Sequence, residues 1–133
     1  MSRKAIMCVD DELIILLSLK QELANYFGNR FLYESAMDAY EAMKIIDELV
    51  TEGVVVILII TDWLMPGLKG DEFLIKVRER HPGIKSIMIT GQADEAAIRR
   101  AKTEAGVSEV LRKPWSRDGL IGAIQACVPE EAL

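Results

Sequence analysis

Residues 54–62 read VVVILIITD, and this stretch decides the fold. Its apolar part is continuous and rich in β-branched residues, a pattern typical of a parallel strand buried on both faces. Asp62 follows almost at once, so the strand would deliver a carboxylate to its carboxyl end. Open α/β sheets bind their ligands along that edge. The stretch therefore predicts a buried central strand with a functional acid at its end.

Three further apolar runs lead into polar side chains that could bind or react. Parallel strands present their carboxyl ends at the same edge of a sheet, so these side chains would converge. The predicted strand-end group consists of Asp10, Asp11, Asp62, Thr90 and Lys113.

Strand-like and helical segments alternate along the chain. The predicted strands are residues 4–9, 31–34, 54–61, 84–90 and 109–112. The predicted helices are residues 12–27, 38–51, 71–80, 94–105 and 116–127. This alternation predicts an α/β fold with a doubly wound, five-stranded parallel sheet. The apolar face of the first helix is predicted to comprise Leu13, Leu16, Leu17, Leu23 and Phe27.

Composition restricts the function. A chain of 133 residues suits a single domain, and half of its residues are hydrophobic. The net charge of −5 argues against direct binding to nucleic acid, which favours a basic surface. The apolar runs are shorter than the ~20 residues that span a bilayer, and no signal peptide is recognised, so we expect a cytoplasmic protein without a membrane segment. Cys8 and Cys127 lack metal-site or redox spacing and are predicted to be buried.

The three acids would repel one another unless a cation held them together. Oxygen-only ligands suit Mg²⁺, which also neutralises phosphate oxygens, so the group suits phosphoryl transfer. Asp62 would then be the nucleophile that forms an acyl phosphate. Lys113 could pair with the carboxylate before modification and with the phosphoryl group afterwards, and Thr90 could donate to another phosphoryl oxygen.

Four motifs resemble, in order, the signatures of response-regulator receiver domains, the chemotaxis-regulator-like domains of two-component signal transduction. They are VDDE at 9–12, TDWLMPG at 61–67, ITG at 89–91 and RKPW at 112–115. The resemblance covers about residues 4–127. It implies a (βα)5 flavodoxin-like fold with strand order 2-1-3-4-5, one receiver domain over residues 1–133, and no output domain within them.

The resemblance also implies a role for each site residue. Asp62 would be the phospho-acceptor, taking its phosphoryl group from a sensor histidine kinase or phosphotransfer protein. Asp11, Asp62 and the backbone carbonyl of Leu64 would bind Mg²⁺ directly, with Asp10 acting mainly through a water. Thr90 and Lys113 would contact the phosphoryl group.

Further implications concern the rim of the site and the output. Gly91 would leave room for the phosphoryl group, and the Lys113–Pro114 bond would be cis. Leu64 and Gln92 would tune hydrolysis of the acyl phosphate, and the apolar Leu64 suggests a lifetime of minutes rather than seconds. The surface of the fourth helix, fifth strand and fifth helix would act on an unknown downstream output domain or effector, with a homodimer possible. The chain would be a regulatory phospho-acceptor that assists its own phosphotransfer and dephosphorylation, and not an enzyme.

Some positions depart from the family's usual pattern. Val110 stands where an aromatic switch residue is common, which keeps open a receiver-like interaction module that does not use phosphorylation. Lys69 stands where many family members carry an acid, and this difference is expected to have no effect. The segment from Asp11 to Asp62 is several residues longer than in the most compact family members, and the extra residues are placed at 46–53. His81 is expected to be an exposed turn residue, residues 99–100 to be solvated, and Trp115 to be partly buried.

Two unrelated readings are disfavoured. A phosphatase or nucleotide enzyme would need an Asp-x-Asp nucleophile or a phosphate-binding glycine loop, and neither motif is present. A flavodoxin-like electron carrier would need a Ser/Thr/Gly-rich loop after the first strand. The acids at 10–12 occupy that position and would repel a cofactor phosphate.

Overall fold

The computed structural model describes residues 3–92 and 94–133. The strands are β1 (Lys4–Val9), β2 (Leu32–Ala36), β3 (Val55–Asp62), β4 (Lys85–Thr90) and β5 (Glu109–Arg112). The helices are α1 (Leu13–Phe27), α2 (Ala39–Thr51), α3 (Gly70–Arg80), α4 (Glu95–Glu104) and α5 (Arg117–Cys127). All strand pairs are parallel, in the order β2-β1-β3-β4-β5. The predicted doubly wound α/β fold and its strand order are therefore confirmed.

The central strand is β3, which pairs with β1 on one side and β4 on the other. Val9 lies opposite Thr61, and Asp62 lies opposite Ile89. This register brings the carboxyl ends of three strands to the same edge. Asp62 itself is the last residue of β3, one position inside the strand rather than just after it.

Side chains that alternate along each strand enter two separate cores. One core lies between the sheet and α2, α3 and α4, and it contains Met7 and Ile59. The other lies between the sheet and α1 and α5, and it contains Cys8 and Ile60. Because both faces of the sheet are covered, the central residues of β1 (5–9) and β3 (56–60) are all apolar and buried, as parallel strands buried on both faces require.

The predicted apolar face of α1 is wrong at two positions. The buried residues are Leu16, Leu19, Leu23 and Phe27, whereas Leu13 and Leu17 are 58% and 57% exposed. Because α1 begins with several consecutive apolar residues, the sequence alone is compatible with more than one buried face of the helix. The sheet contacts select the stripe.

Smaller differences lie at element boundaries. The second strand begins at Leu32 and continues to Ala36, two residues beyond its predicted end, because β2 pairs with β1 up to Val9. Helix α4 begins one residue after Asp94, whose side chain caps it by accepting from the Ala97 N–H at 2.6 Å.

Cys8 is buried, as predicted, and burial raises the pKa of its thiol to about 12. Cys127 is only partly buried, so that prediction is half right. Within residues 3–92 and 94–133, no helix is both long and apolar enough to cross a bilayer.

Gly70 allows α3 to begin directly beside the end of β3. Its N–H donates to the Trp63 carbonyl at 2.7 Å. A Cβ added at Gly70 would run into the Asp62 carbonyl oxygen and lie 2.9 Å from the Trp63 Cα. These neighbours are backbone atoms and cannot move aside as a side chain can.

We therefore expect Gly70→Ala to lower the free energy of unfolding by about 1–3 kcal/mol through overpacking. Gly122→Ala is the matched control, because position 122 is an exposed position of α5 and an added Cβ would meet nothing within 4 Å among the described residues. The control should gain up to about 1 kcal/mol from helix propensity. Urea titration followed by circular dichroism measures both, and equal stability of the two variants would contradict the expectation.

Candidate metal and phosphoryl-transfer site

The predicted strand-end residues meet at one cleft of about 550 Å³. The residues that line it belong to the ends of β3 and β4 and to the four loops that follow β1, β3, β4 and β5 at the carboxyl edge of the sheet. They are Asp11, Glu12, Asp62, Leu64, Met65, Pro66, Thr90, Gly91, Gln92 and Lys113. Asp10 lies behind this lining and is 1% exposed.

Three carboxylates form an acidic cluster within the cleft. One oxygen from each of Asp10, Asp11 and Asp62 lies within 4.8 Å of the others. Asp10 and Asp62 are buried, whereas Asp11 is exposed. The donors are hard oxygens only, so the cluster fits Mg²⁺ better than a metal that prefers nitrogen or sulfur ligands. Leu64 lines the same cleft, and the role of its carbonyl as a ligand stays a prediction.

Lys113 links two of the acids. Its Nζ donates to Asp10 Oδ2 at 2.9 Å and lies 3.2 Å from Asp62 Oδ1. The other oxygen of Asp10 accepts the Glu12 N–H at 2.8 Å. Both Asp10 oxygens are therefore engaged within the protein, which favours an indirect role for Asp10 toward a cation.

The backbone places Lys113 beside the acids. Its N–H donates to the Thr90 carbonyl at 3.0 Å, which continues the β4–β5 pairing beyond Arg112. The Lys113–Pro114 bond is cis, as predicted.

Burial and the neighbouring charges change the acidity of the cluster. Burial, followed by the Asp10 carboxylate, raises the pKa of Asp62 to about 6, although Lys113 opposes the shift. Burial lowers the pKa of Lys113, but its hydrogen bond to Asp10 and the charge of Asp62 raise it by more, so the net pKa lies above the usual value. The ionised site is thus short of positive charge, which a bound cation would supply.

The β4–α4 loop also lines the cleft. Thr90 is buried at the end of β4, and its Oγ1 accepts the Gln92 N–H at 3.0 Å. Apart from its chain neighbours, a Cβ added at Gly91 would meet no atom of the described residues within 4 Å. The predicted need for glycine there concerns space for the phosphoryl group and stays a prediction. Leu64 and Gln92 are both exposed at the rim.

A buried ion pair beside the site escaped the sequence analysis. Asp71 is fully buried and accepts from Trp63 Nε1 at 3.1 Å and from Arg100 Nε at 2.7 Å. The prediction of a solvated Arg100 is therefore only partly right, because its half-exposed side chain pairs with a buried carboxylate. An acid in the first turn of α3 was the available signal, but its partner lies 29 residues away. Lys69 Nζ lies 5.1 Å from the centroid of the same Trp63 ring.

Three other residues have defined surroundings. His81 is not a freely exposed turn residue, because its Nε2 lies 2.9 Å from Asp47 Oδ1 and its side chain is mostly buried. Trp115 is partly buried, as predicted, and donates to Glu22 at 2.8 Å. Val110 packs partly buried against the core beneath α2, α3 and α4.

The raised pKa predicts that Asp62 destabilises the fold in the absence of a cation. Below about pH 4 the carboxyl is protonated in both folded and unfolded chains. Between about pH 4 and pH 6 only the unfolded chain releases the proton, so stability falls as pH rises. Above about pH 6 the penalty is complete, and the shift corresponds to about 2–3 kcal/mol.

Asp62→Asn should therefore raise the free energy of unfolding at pH 7.5 without Mg²⁺, and this gain should shrink below about pH 5. Glu48→Gln removes an exposed carboxylate on α2 and should leave stability nearly unchanged. Urea titrations across this pH range provide the measurement. A loss of stability in Asp62→Asn at pH 7.5 would show that the Lys113 pair outweighs burial and acid repulsion.

Comparison with known proteins identifies the family. Residues 6–125 match the model of the response regulator receiver domain. The chain is 38% identical over 128 residues to the hydrogenase transcriptional regulatory protein HoxA of Cupriavidus necator, covering 96% of this chain and 25% of that protein. It thus spans about a quarter of the length of this relative.

Solved structures agree with this assignment. A CheY-like response regulator receiver domain protein from Methanospirillum hungatei JF-1 superposes with a TM-score of 0.79 and 30% identity, covering 95% of this chain and 93% of that one. The signal receiver domain of an HD domain-containing protein from Pseudomonas fluorescens Pf-5 gives a TM-score of 0.82 and 26% identity, covering 95% and 87%. Since the motifs, the fold and the family model coincide over nearly the whole length, the chain belongs to the response regulator receiver domain family.

Proposed function

We propose that this receiver is switched by phosphorylation of Asp62, with the phosphoryl group supplied by the phosphohistidine of a sensor histidine kinase or phosphotransfer protein. The observation that carries the proposal is the position of the Asp62 carboxylate. It faces an open cleft, within 4.8 Å of oxygens from two other acids and 3.2 Å from the Lys113 ammonium. A structural acid would need no such cluster.

In the proposed reaction, an Asp62 oxygen attacks phosphorus and forms the P–O bond while the P–N bond of the donor breaks. The electron pair of that bond returns to the imidazole nitrogen. Mg²⁺ held by Asp11, Asp62 and the Leu64 carbonyl would neutralise charge on the phosphoryl oxygens. Asp10 and Lys113 would keep the nucleophile oriented, since Lys113 contacts both acids.

Lys113 is placed to respond to the modification. Its ion pair with Asp62 would be replaced by one with a phosphoryl oxygen, which carries more negative charge. The Thr90 side chain lies at the end of the adjacent strand and would donate to a second oxygen. Phosphorylation would thereby change the contacts of β3, β4 and β5 together.

The proposed protein is a regulatory phospho-acceptor that assists its own modification and hydrolysis, with one receiver domain over residues 1–133. Its output would pass through the surface of α4, β5 and α5 to an effector or attached domain, and the face of α4 would also serve a homodimer. The HoxA relative is a transcriptional regulatory protein. An output of that kind would need another segment or partner to bind DNA, because this chain carries a net charge of −5. The cytoplasmic location stays a prediction.

A second candidate is an interaction module that does not use phosphate. The observation that favours it is Val110, a short apolar side chain that pairs in register with Met88 and cannot form a hydrogen bond with the Thr90 hydroxyl. The two candidates differ in whether the chain accepts a phosphoryl group.

We expect one phosphoryl group to be added when the protein is incubated with Mg²⁺ and a small-molecule phosphodonor. Intact-mass spectrometry measures the gain, which should be absent in Asp62→Asn and retained in Asp118→Asn, a control that removes an exposed acid of α5. Chelation of Mg²⁺ should also abolish the gain. No gain in the unmodified sequence under saturating donor would favour the phosphate-independent module.

The rim residues predict a phosphoryl lifetime of minutes rather than seconds. Leu64 is apolar and cannot orient a water, whereas Gln92 has an amide that can. Leu64→Asn should therefore shorten the lifetime several-fold, and Gln92→Ala should lengthen it. The decay of the phosphorylated mass after removal of donor measures both rates. Identical decay in the two variants would argue against the proposed tuning role of this pair.

A further inference from the structure

A single buried carboxylate connects the residue that follows Asp62 to α4. Asp71 lies in the first turn of α3 and is fully buried. One of its oxygens accepts from Trp63 Nε1 at 3.1 Å, and the other accepts from Arg100 Nε at 2.7 Å. A buried charge that loses a partner is strongly destabilising, so both contacts should persist when neighbouring segments shift.

The start of α3 also contacts the end of β3 directly. Gly70 donates to the Trp63 carbonyl at 2.7 Å, and there is no space between its Cα and the Asp62 carbonyl for a methyl group. A displacement of the end of β3 must therefore displace the first turn of α3.

Helices α3 and α4 are joined a second time near their carboxyl ends. Arg78 of α3 donates to the Glu104 carbonyl at 3.2 Å. The same guanidinium packs beside Gly106, where an added Cβ would lie 3.1 Å from the Arg78 Cζ. The two contacts lie near the two ends of α3 and hold Arg100 and Glu104, so the carboxyl half of α4 should follow α3 rather than slide freely past it.

The contacts of β5 are less suited to transmit a structural change from Asp62 to α4. Val110 is partly buried against the same core, and its side chain offers volume but no hydrogen bond. The hydrogen bond and ion pair at Asp71, by contrast, are directional and run from Trp63, the residue after β3, to the surface of α4.

We propose that Trp63, Asp71 and Arg100 transmit the state of Asp62 to α4, with Asp71 and Arg100 as positioning residues. The inference rests on the proposed function, since the signal transmitted is phosphorylation of Asp62. Modification adds negative charge at the end of β3 and removes the Asp62–Lys113 pair. The resulting movement of the Trp63 backbone reaches α4 through the Asp71 carboxylate.

The test compares variants that break the ion pair in different ways. Asp71→Asn retains an amide oxygen for the Trp63 indole but removes the charge that faces Arg100. Arg100→Gln removes the guanidinium, and the double variant leaves no unpaired charge in the interior. Arg99→Gln is the matched control, because it removes the same charge from the adjacent exposed position of α4, and no ion pair of Arg99 exists in the described part of the chain.

The readout is the set of backbone amide chemical-shift changes that beryllofluoride and Mg²⁺ produce at saturation. In the unmodified protein and in Arg99→Gln, we expect shifts at Thr90 and Lys113 and also along residues 95–104. In the three pair-breaking variants, the ratio of the α4 shifts to the Thr90 and Lys113 shifts should fall at least threefold. A loss of stability alone would not change this ratio in molecules that remain folded, as judged by spectral dispersion.

Two results would overturn the inference, and they are distinguishable. An unchanged ratio in Asp71→Asn and in the double variant, with the phosphoryl mass gain intact, would reject the Asp71 connection and leave the proposed function standing. Absence of both the mass gain and the beryllofluoride shifts in the unmodified protein would reject the proposed function and this inference together.

Discussion

The Lys113 ammonium lies between two buried carboxylates, and the site depends on this contact. Asp10 and Asp62 would repel each other at the ends of adjacent strands, yet the ammonium lies 2.9 Å from one and 3.2 Å from the other. The compensation is incomplete, because the pKa of Asp62 remains raised to about 6. The folded protein thus tolerates the acidic cluster, and the remaining negative charge still favours the binding of a cation.

The strand-end residues could be predicted because their position depends only on their order along the sequence. In a parallel sheet, an acid, a hydroxyl or a lysine that follows an apolar strand lies at the carboxyl edge, whichever strands are neighbours. The order of strands then brings Asp10, Asp62 and Lys113 together without any knowledge of individual contacts.

Other features could not be predicted because they depend on how helices pack. Leu17 and Leu19 are equally apolar in the sequence, and only the rotation of α1 on the sheet decides which is buried. Asp71 and Arg100 lie on different helices, so no sequence spacing relates them. The burial of His81 could not be predicted either, because its partner Asp47 belongs to α2. In each case the missing information was the relative placement of two elements.

The division of the interior by the sheet has an evolutionary consequence. The two cores contain different side chains, so a substitution beneath α2, α3 and α4 removes no side chain from the core beneath α1 and α5. Effects of substitutions on opposite sides should be close to additive. Selection can therefore rework the surface helices of one side for a new partner while the packing of the other side drifts independently, with the acidic cleft at the shared edge left intact.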